Sequence, residues 1–407
     1  MKKIIALSFL LLLPLLVLCS CEESPEDSAR TLYVYNWGEY ISDGSEGSVN
    51  SNKEFEKYCK EELGLNVTVN YSTYSSNEDL YAKLSSGTVK YDVIIPSDYM
   101  IERLANEGLL AEIDPKENIE NYTHIDDKFK GLYYDAEEKY SVPYTFGTVG
   151  IIYNTEMIPS DDPNLGKWDL LWDENHAGNI LQFNNPRDAF GTAQFYLGYS
   201  INSNSESEWR EALAALKQQK SVVQGYVMDE IFNKLQGGSA AVAPYYAGDF
   251  FTMYADNELL NFYYPDGYTN VFVDAMCVPA NAQSPDLALE YINFMLSEEI
   301  AIANAEYICY ASPNNLVMNN AEYIAYMEEV HPDAMSILYD FNMDNTEFYF
   351  DLPDETRMLM NSLWEELKIE SSVGRAVYVI CYVIVATIIL GAIWYFIRKK
   401  RREALYD

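Results

Sequence analysis

Histidine, the side chain most often recruited for acid–base and metal chemistry, occurs three times in this 407-residue chain, scattered at His124, His176 and His331. No H-E-x-x-H pair, Cys/His metal spacing or G-x-S-x-G elbow accompanies them, and Gly237-Gly238 and Gly147 with Gly150 match no phosphate loop. No catalytic residue, metal or cofactor is therefore assigned. Carboxylates and phenols are abundant instead, with 63 Asp and Glu and 35 Tyr. An acidic protein always offers carboxylate pairs, and none stands out here as a hydrolase's acid and base. Aromatic rings and carboxylates together suit non-covalent capture of cations, the rings through their negative faces and the acids through charge-assisted hydrogen bonds.

Those side chains must be held by ordered elements. Thr31 to Asn36 is a strand candidate, Lys53 to Leu63 an amphipathic helix with Phe55, Cys59 and Leu63 on one face, and Asn66 to Tyr71 a second strand. Asn77 caps a helix through Leu84, Tyr91 to Ile95 is a buried strand, and a further helix ends at Gly108. Ser97 and Asp98 read as the cap of that last helix, and for Asp98 we expect no other role. The pattern resumes with strands near 150–153, 180–183, 240–243 and 261–264, separated by helices near 188–199, 207–219 and 249–256. A helical tail follows at 286–296, 298–307 and 355–368. This alternation predicts two α/β lobes built on parallel sheet, facing each other across a cleft at the carboxyl ends of their strands.

Both termini carry membrane signals. Lys2 and Lys3 followed by apolar Ile4 to Leu18 read as a signal peptide (1–20), and Leu18 with Ser20 places cleavage before Cys21, which would then carry lipid. A flexible acidic spacer occupies 21–30. Ala376 to Ile397 is uncharged and long enough to span a bilayer, and Arg398-Lys399-Lys400-Arg401-Arg402 would keep the tail 398–407 cytoplasmic. Of 27 basic and 63 acidic residues, eight and two lie in these termini, which leaves the exported body near −42. Such a surface repels nucleic acid and concentrates cations, although solubility and habitat produce the same excess. Only Cys59, Cys277 and Cys309 remain in the body, an odd trio that is no disulfide framework.

A specific resemblance emerges at Tyr35-Asn36-Trp37-Gly38-Glu39-Tyr40, which is similar to the opening motif of bacterial spermidine/putrescine-binding proteins of polyamine ABC transporters. Tyr71-Ser72-Thr73-Tyr74, Ser76-Asn77-Glu78, Tyr81-Ala82-Lys83-Leu84 and Tyr91 to Ser97 agree in order, as do Pro279-Ala280-Asn281-Ala282, Ile292-Asn293-Phe294 and Ser312-Pro313-Asn314. The likeness runs from about Leu32 to Leu367. It implies a two-lobed periplasmic-binding-protein fold, to which the C-terminal signals read above add a transmembrane helix (375–397). Lobe 1 would comprise 31–143 and 275–312, and lobe 2 144–274 and 313–370.

The resemblance also implies a ligand set: Trp37, Glu39 and Tyr40; Ser97 and Tyr99; Asn185 and Asp188; Tyr245; Phe272 and Asp274; and Tyr310. Where Gram-negative members show Thr, Asp, Glu, Trp and Trp, this chain has Gly38, Asn185, Asp188, Tyr245 and Phe272. The implied partners are spermidine or putrescine, an ABC permease with its ATPase, and the membrane that holds the protein on its extracytoplasmic face. Another small cation or amino-acid-like solute, a membrane-tethered polyamine sensor and a secreted carboxylate hydrolase are the competing readings. From the paired terminal signals, Cys21→Ala is expected to leave the protein in the membrane fraction, held by 376–397; its appearance in the culture medium would remove the second anchor.

Overall fold

The computed structural model describes residues 29–372 and, beyond them, 382–389, 391, 394 and 398. The expected signal peptide, Cys21 and much of Ala376–Ile397 lie outside the described residues. Residues 382–389 are helical, and among the described residues no helix is long and apolar enough to cross a membrane.

Among the described residues ten strands form the sheet: β1 Arg30–Trp37, β2 Val67–Tyr74, β3 Val93–Ile94, β4 Ser141–Asn154, β5 Ile180–Phe183, β6 Val223–Val227, β7 Val242–Tyr246, β8 Leu260–Tyr263, β9 Thr269–Cys277 and β10 Thr346–Glu347. The α-helices around it are α1 Ser51–Glu61, α2 Asn77–Ser85, α3 Asp98–Asn106, α4 Pro115–Asn118, α5 Pro186–Leu197, α6 Glu206–Gln219, α7 Ala247–Asp256, α8 Pro285–Met295, α9 Glu298–Ile308, α10 Asn315–Met318, α11 Ala321–Val330, α12 Ala334–Tyr339 and α13 Asp354–Ser372. Local chemistry explains their limits. Asn50 accepts the Lys53 N–H at 2.9 Å to start α1, which buries Phe55 and Cys59 one turn apart. Leu63, expected on the same face, falls beyond the helix end and is exposed. Ser76, rather than Asn77, caps α2 by accepting the Asp79 N–H at 3.1 Å; Asn77 is the first helical residue and its Oδ1 takes the Ser97 N–H at 3.3 Å.

The strands run in the order β2-β1-β3-β9-β4-β7-β5-β6, and this corrects the parallel-sheet expectation. β1 is parallel to β2 and β3, and β5 is parallel to β6 and β7, as alternation with helices requires. Between these two parallel groups lie β4 and β9, antiparallel to each other; β9 is also antiparallel to β3, and β4 to β7 and β8. At 14 residues, β4 serves both groups, pairing with β9 through Ser141–Thr148 and with β7 through Val149–Tyr153. The β4–β9 register shifts between Pro143 and Thr145, opposite Asp274. β6 and β9 had no counterpart among the expected strands. Every residue of β9 is buried, so it shows no apolar–polar alternation to find.

Cys59, Cys277 and Cys309 are buried free thiols. One joint holding the first parallel group to the tail is a carboxylate: Asp92, fully buried, accepts the N–H groups of Tyr33 at 2.9 Å, Gln283 at 2.7 Å and Ser284 at 2.8 Å. Asp92→Ala would strand three donors and is expected to lower unfolding stability by about 2–4 kcal/mol, read from denaturant midpoints. A loss below about 0.5 kcal/mol would show that water replaces the carboxylate.

Candidate functional site

All eleven residues singled out from the sequence line one cleft, which encloses about 800 Å³ of empty space with its open mouth included. The last residue of β1 is Trp37, and the turn after it supplies Glu39 and Tyr40, with Glu39 in the left-handed region at φ 49°. Ser97 and Tyr99 stand where β3 passes into α3, Asn185 and Asp188 where β5 passes into α5, and Tyr245 near the end of β7. β9 contributes Phe272 and Asp274, and Tyr310 follows α9. Gly147 gives the Phe272 ring its place, because a Cβ there would stand 2.7 Å from Phe272 Cζ.

Asp274 is the deepest acid of the set, 4% exposed. Its Oδ2 accepts the Tyr40 hydroxyl at 2.7 Å, and that hydroxyl lies 2.5 Å from Thr145 Oγ1, so the phenol donates inward and is itself held by the threonine. Asp274 Oδ1 is buried and has no hydrogen-bond partner. Burial raises the Asp274 carboxyl to about 6, the Ser97 and Tyr40 hydroxyls pull it back, and the Asp188 charge pushes it up again. A carboxylate oxygen sealed from water without a donor is costly, and an entering N–H group removes that cost.

Around Asp188 a second group gathers. Its Oδ2 accepts Asn185 Nδ2 at 2.7 Å and the Tyr246 hydroxyl at 2.7 Å, while its backbone N–H goes to Asn185 Oδ1 at 2.8 Å. Both ends of the Asn185 amide are thus engaged in capping α5 and orienting Asp188. Glu78 Oε1 accepts the Tyr99 hydroxyl at 3.2 Å, and burial raises the carboxyls of both Glu78 and Asp188. On the other flank Asp249 Oδ2 accepts the Tyr310 hydroxyl at 2.9 Å, and burial lifts Asp249 to about 8.

Glu78, Tyr246, Tyr349, Asp229 and Asp249 also line the cleft and were missed in the sequence reading. Glu78 lies inside a quoted motif and could have been included; Asp229 and Asp249 have no signal among so many acids. Asp98 corrects an expectation. It is fully buried, accepts the N–H groups of Tyr99 at 2.7 Å and Val273 at 3.2 Å, and so fastens α3 to β9, while the Ser97 side chain makes no cap bond. Away from the cleft, Asp162, Asp173 and His176 bring potential ligand atoms within 4.8 Å of one another. Asp162 and His176 already bond each other at 2.8 Å, and Asn164 occupies Asp173 at 2.8 Å.

The raised carboxyls carry a sign. Asp274 and Asp249 hold protons in the fold up to about 6 and about 8, against about 3.9 for an unfolded aspartate. Their contribution to stability is complete below the unfolded value and is lost as pH rises through the folded values. The Tm of the ligand-free protein should therefore fall between pH 5 and 8.5, and should fall less in an Asp249→Asn/Asp274→Asn variant. A Tm that climbs across that interval in both proteins would contradict the burial of these acids.

Comparison with known proteins agrees with this geometry. The model of the bacterial extracellular solute-binding protein family matches residues 53–329. The spermidine/putrescine-binding periplasmic protein of Escherichia coli is 30% identical over 283 residues, which cover 69% of this chain and 76% of that protein. Among solved structures, a spermidine/putrescine ABC transporter protein from Listeria monocytogenes is 33% identical with a TM-score of 0.74, covering 84% of this chain and 99% of that one. A lipoprotein of Treponema pallidum is 27% identical with a TM-score of 0.68, over 83% and 99% of the two chains. With its cleft at the carboxyl ends of two parallel strand groups and this agreement along most of its length, the chain belongs to the bacterial extracellular solute-binding proteins.

Proposed function

We propose that this chain is the extracytoplasmic receptor of a polyamine import system, capturing spermidine or putrescine and delivering it to an ABC permease. It is a solute-binding protein and not an enzyme. The observation that carries the ligand assignment is the buried, unpartnered Asp274 Oδ1 at the floor of a cleft whose described lining contains no lysine, arginine or histidine. An ammonium supplies the missing donor, and a polymethylene rod suits the aromatic walls formed by Trp37, Tyr40, Tyr99, Tyr245 and Phe272. An anionic or zwitterionic solute would set its own negative charge among these acids. The relatives from E. coli and L. monocytogenes, described as spermidine/putrescine proteins, support the same reading.

Delivery needs two states. Lobe 1 as 31–143 with 275–312 and lobe 2 as 144–274 with 313–370 would hinge where β4 and β9 cross, at the register shift opposite Asp274. A ligand touching Asp274, the Trp37–Tyr40 turn and Asp188 at once favours the closed form, and the permease can distinguish that form. We assign attachment to lipid on Cys21 and to a membrane helix at 376–397, on the strength of the leader, the uncharged 22-residue run and its basic stop.

The charge on Asp274 is the test. Asp274→Asn keeps the size and removes the charge, so it should weaken polyamine binding by about 2–5 kcal/mol in titration calorimetry. Glu298→Gln, on the exposed start of α9, should change it by less than about 0.5 kcal/mol. Unchanged affinity in Asp274→Asn with an intact fold would remove the assignment of this cleft.

A further inference from the structure

Closing a cleft brings together surfaces on the ligand's side of the hinge, and a bond between them resists reopening without touching the ligand. One segment is placed to make such a bond. Residues 346–351 form a strap that starts at β10, paired with Thr269 and Asn270 of β9, and Tyr349 of the strap lines the cleft with Tyr99 and Asp188.

The strap is fastened to the half of the molecule that carries α5. Arg187, 2% exposed, aims its guanidinium at neutral oxygens: Nη1 donates to the Ile201 carbonyl at 2.9 Å, and Nη2 to Asn202 Oδ1 at 2.9 Å and to the Phe350 carbonyl at 3.1 Å. Asn202 adds two bonds, donating from Nδ2 to the Phe348 carbonyl at 2.7 Å and accepting the Phe350 N–H at 2.9 Å. Glu347 Oε2 takes the Ser200 hydroxyl at 2.8 Å and the Ile201 N–H at 3.2 Å. The Arg187 guanidinium lies 4.3 Å from the centre of the Tyr349 ring, whose hydroxyl donates to the Arg187 carbonyl at 3.2 Å. Gly191 makes room for that hydroxyl, because a Cβ there would stand 2.2 Å from it.

Toward the half that carries α3 the bonds are fewer. The Asp351 N–H donates to Glu102 Oε2 at 2.9 Å, with Asp351 held from behind by Arg357, whose Nη1 donates to its Oδ1 at 2.8 Å. Tyr133 donates its hydroxyl to the Tyr349 carbonyl and sets its ring 5.7 Å from Phe348 and 4.6 Å from Phe350, and the Tyr99 ring meets Tyr349 edge-on at 5.8 Å. A hollow of about 270 Å³ stays open along this seam, bordered by Met100 and Arg103 of α3 and by Phe350 and Leu352. Dense bonding on one side and a hollow seam on the other mark a part that moves with α5 and separates from α3. Because Tyr349 lines the cleft, the seam lies on the ligand's side, where closure makes the contact and opening breaks it. Glu102 itself lies outside the cleft lining.

We propose that the strap is a latch on the cleft: residues 347–351 travel with α5, and Glu102 is a positioning residue that catches the Asp351 N–H on closure and so slows release of the bound solute. This rests on the two-lobe closure inferred above, with the polyamines serving as probes.

The experiment is stopped-flow binding of spermidine and of putrescine to the purified full-length protein, joined to amide hydrogen exchange read at Asp351. Glu102→Ala should speed dissociation of both amines by the same factor, about 5- to 30-fold for one charge-assisted hydrogen bond at a half-buried site, and leave association within about 3-fold. Glu102→Gln keeps an acceptor oxygen and should stay within about 3-fold of wild type throughout. Asn202→Ala loosens the other side of the strap and should also speed dissociation, with the double variant Glu102→Ala/Asn202→Ala little faster than the faster single one. The Tm of ligand-free Glu102→Ala should stay within about 2 °C of wild type, since an open cleft leaves the latch unmade. The Asp351 amide should exchange freely in the ligand-free protein and become protected when spermidine is added. A change confined to one amine would make Glu102 part of the ligand site, slower dissociation would put the strap on the opening side, and unchanged dissociation or an Asp351 amide already protected without ligand would make the contact a fixed tie; each overturns the latch. A wild type that binds neither amine would overturn the polyamine reading, and the ligand-free exchange at Asp351 then decides the latch: free exchange supports it and protection overturns it.

Discussion

The cleft is arranged around a buried carboxylate, that of Asp274. Asp274 Oδ1 is sealed from water without a donor, while its partner oxygen is fixed by Tyr40 and, through Tyr40, by Thr145. Burial of this kind is tolerable when the acid keeps a proton or meets a cation, and the lift of Asp274 to about 6 expresses the first choice. Capture of an ammonium expresses the second. The floor of the cleft is therefore a place where proton and ligand compete, and the competition is set by packing, because Tyr40 is itself wedged edge-on against Tyr144 and Tyr310.

That arrangement requires Asp274 to be held on a rigid element shared by both parallel strand groups. β9 does this: it pairs with β3 on one side and β4 on the other, and Val273 next to the acid donates its N–H to Asp98 at the start of α3. β4 then carries the sheet on to β7. The same two strands that connect the groups thus also position the carboxylate between them.

Part of the site is legible from sequence as local motifs at strand ends, Tyr35 to Tyr40 and Tyr91 to Ser97, whereas Tyr99, Asn185, Asp188, Tyr245, Phe272, Asp274 and Tyr310 are named only because the family resemblance implies them. All eleven residues so named line the cleft. Others could not be named. Asp249 stands in the first turn of α7, where an acid is ordinary at a helix N-terminus, and only the approach of Tyr310 from a distant segment gives it a role. Asp98 looked like a cap for the same reason and is in fact a tertiary tie. Among the elements, β9 escaped notice because burial on both faces removes alternation, and the antiparallel centre of the sheet escaped because parallel order was inferred from the alternating helices on either side.

The acidic composition can now be divided by its effect. Most of the excess lies on the surface, where it concentrates cations without distinguishing them and is screened over about 10 Å at moderate salt. Four of the cleft acids differ in kind, because burial reduces that screening and each of the four is oriented by a named phenol: Asp274 by Tyr40, Asp188 by Tyr246, Glu78 by Tyr99, Asp249 by Tyr310. A phenol donates one hydrogen bond to a carboxylate without neutralising it, and its ring face remains available to a cation's methylene stem. Tyrosine therefore does at this site what arginine or lysine could not, aligning the acids without setting a competing cation beside them. The abundance of tyrosine in the sequence has, in this cleft, a physical use.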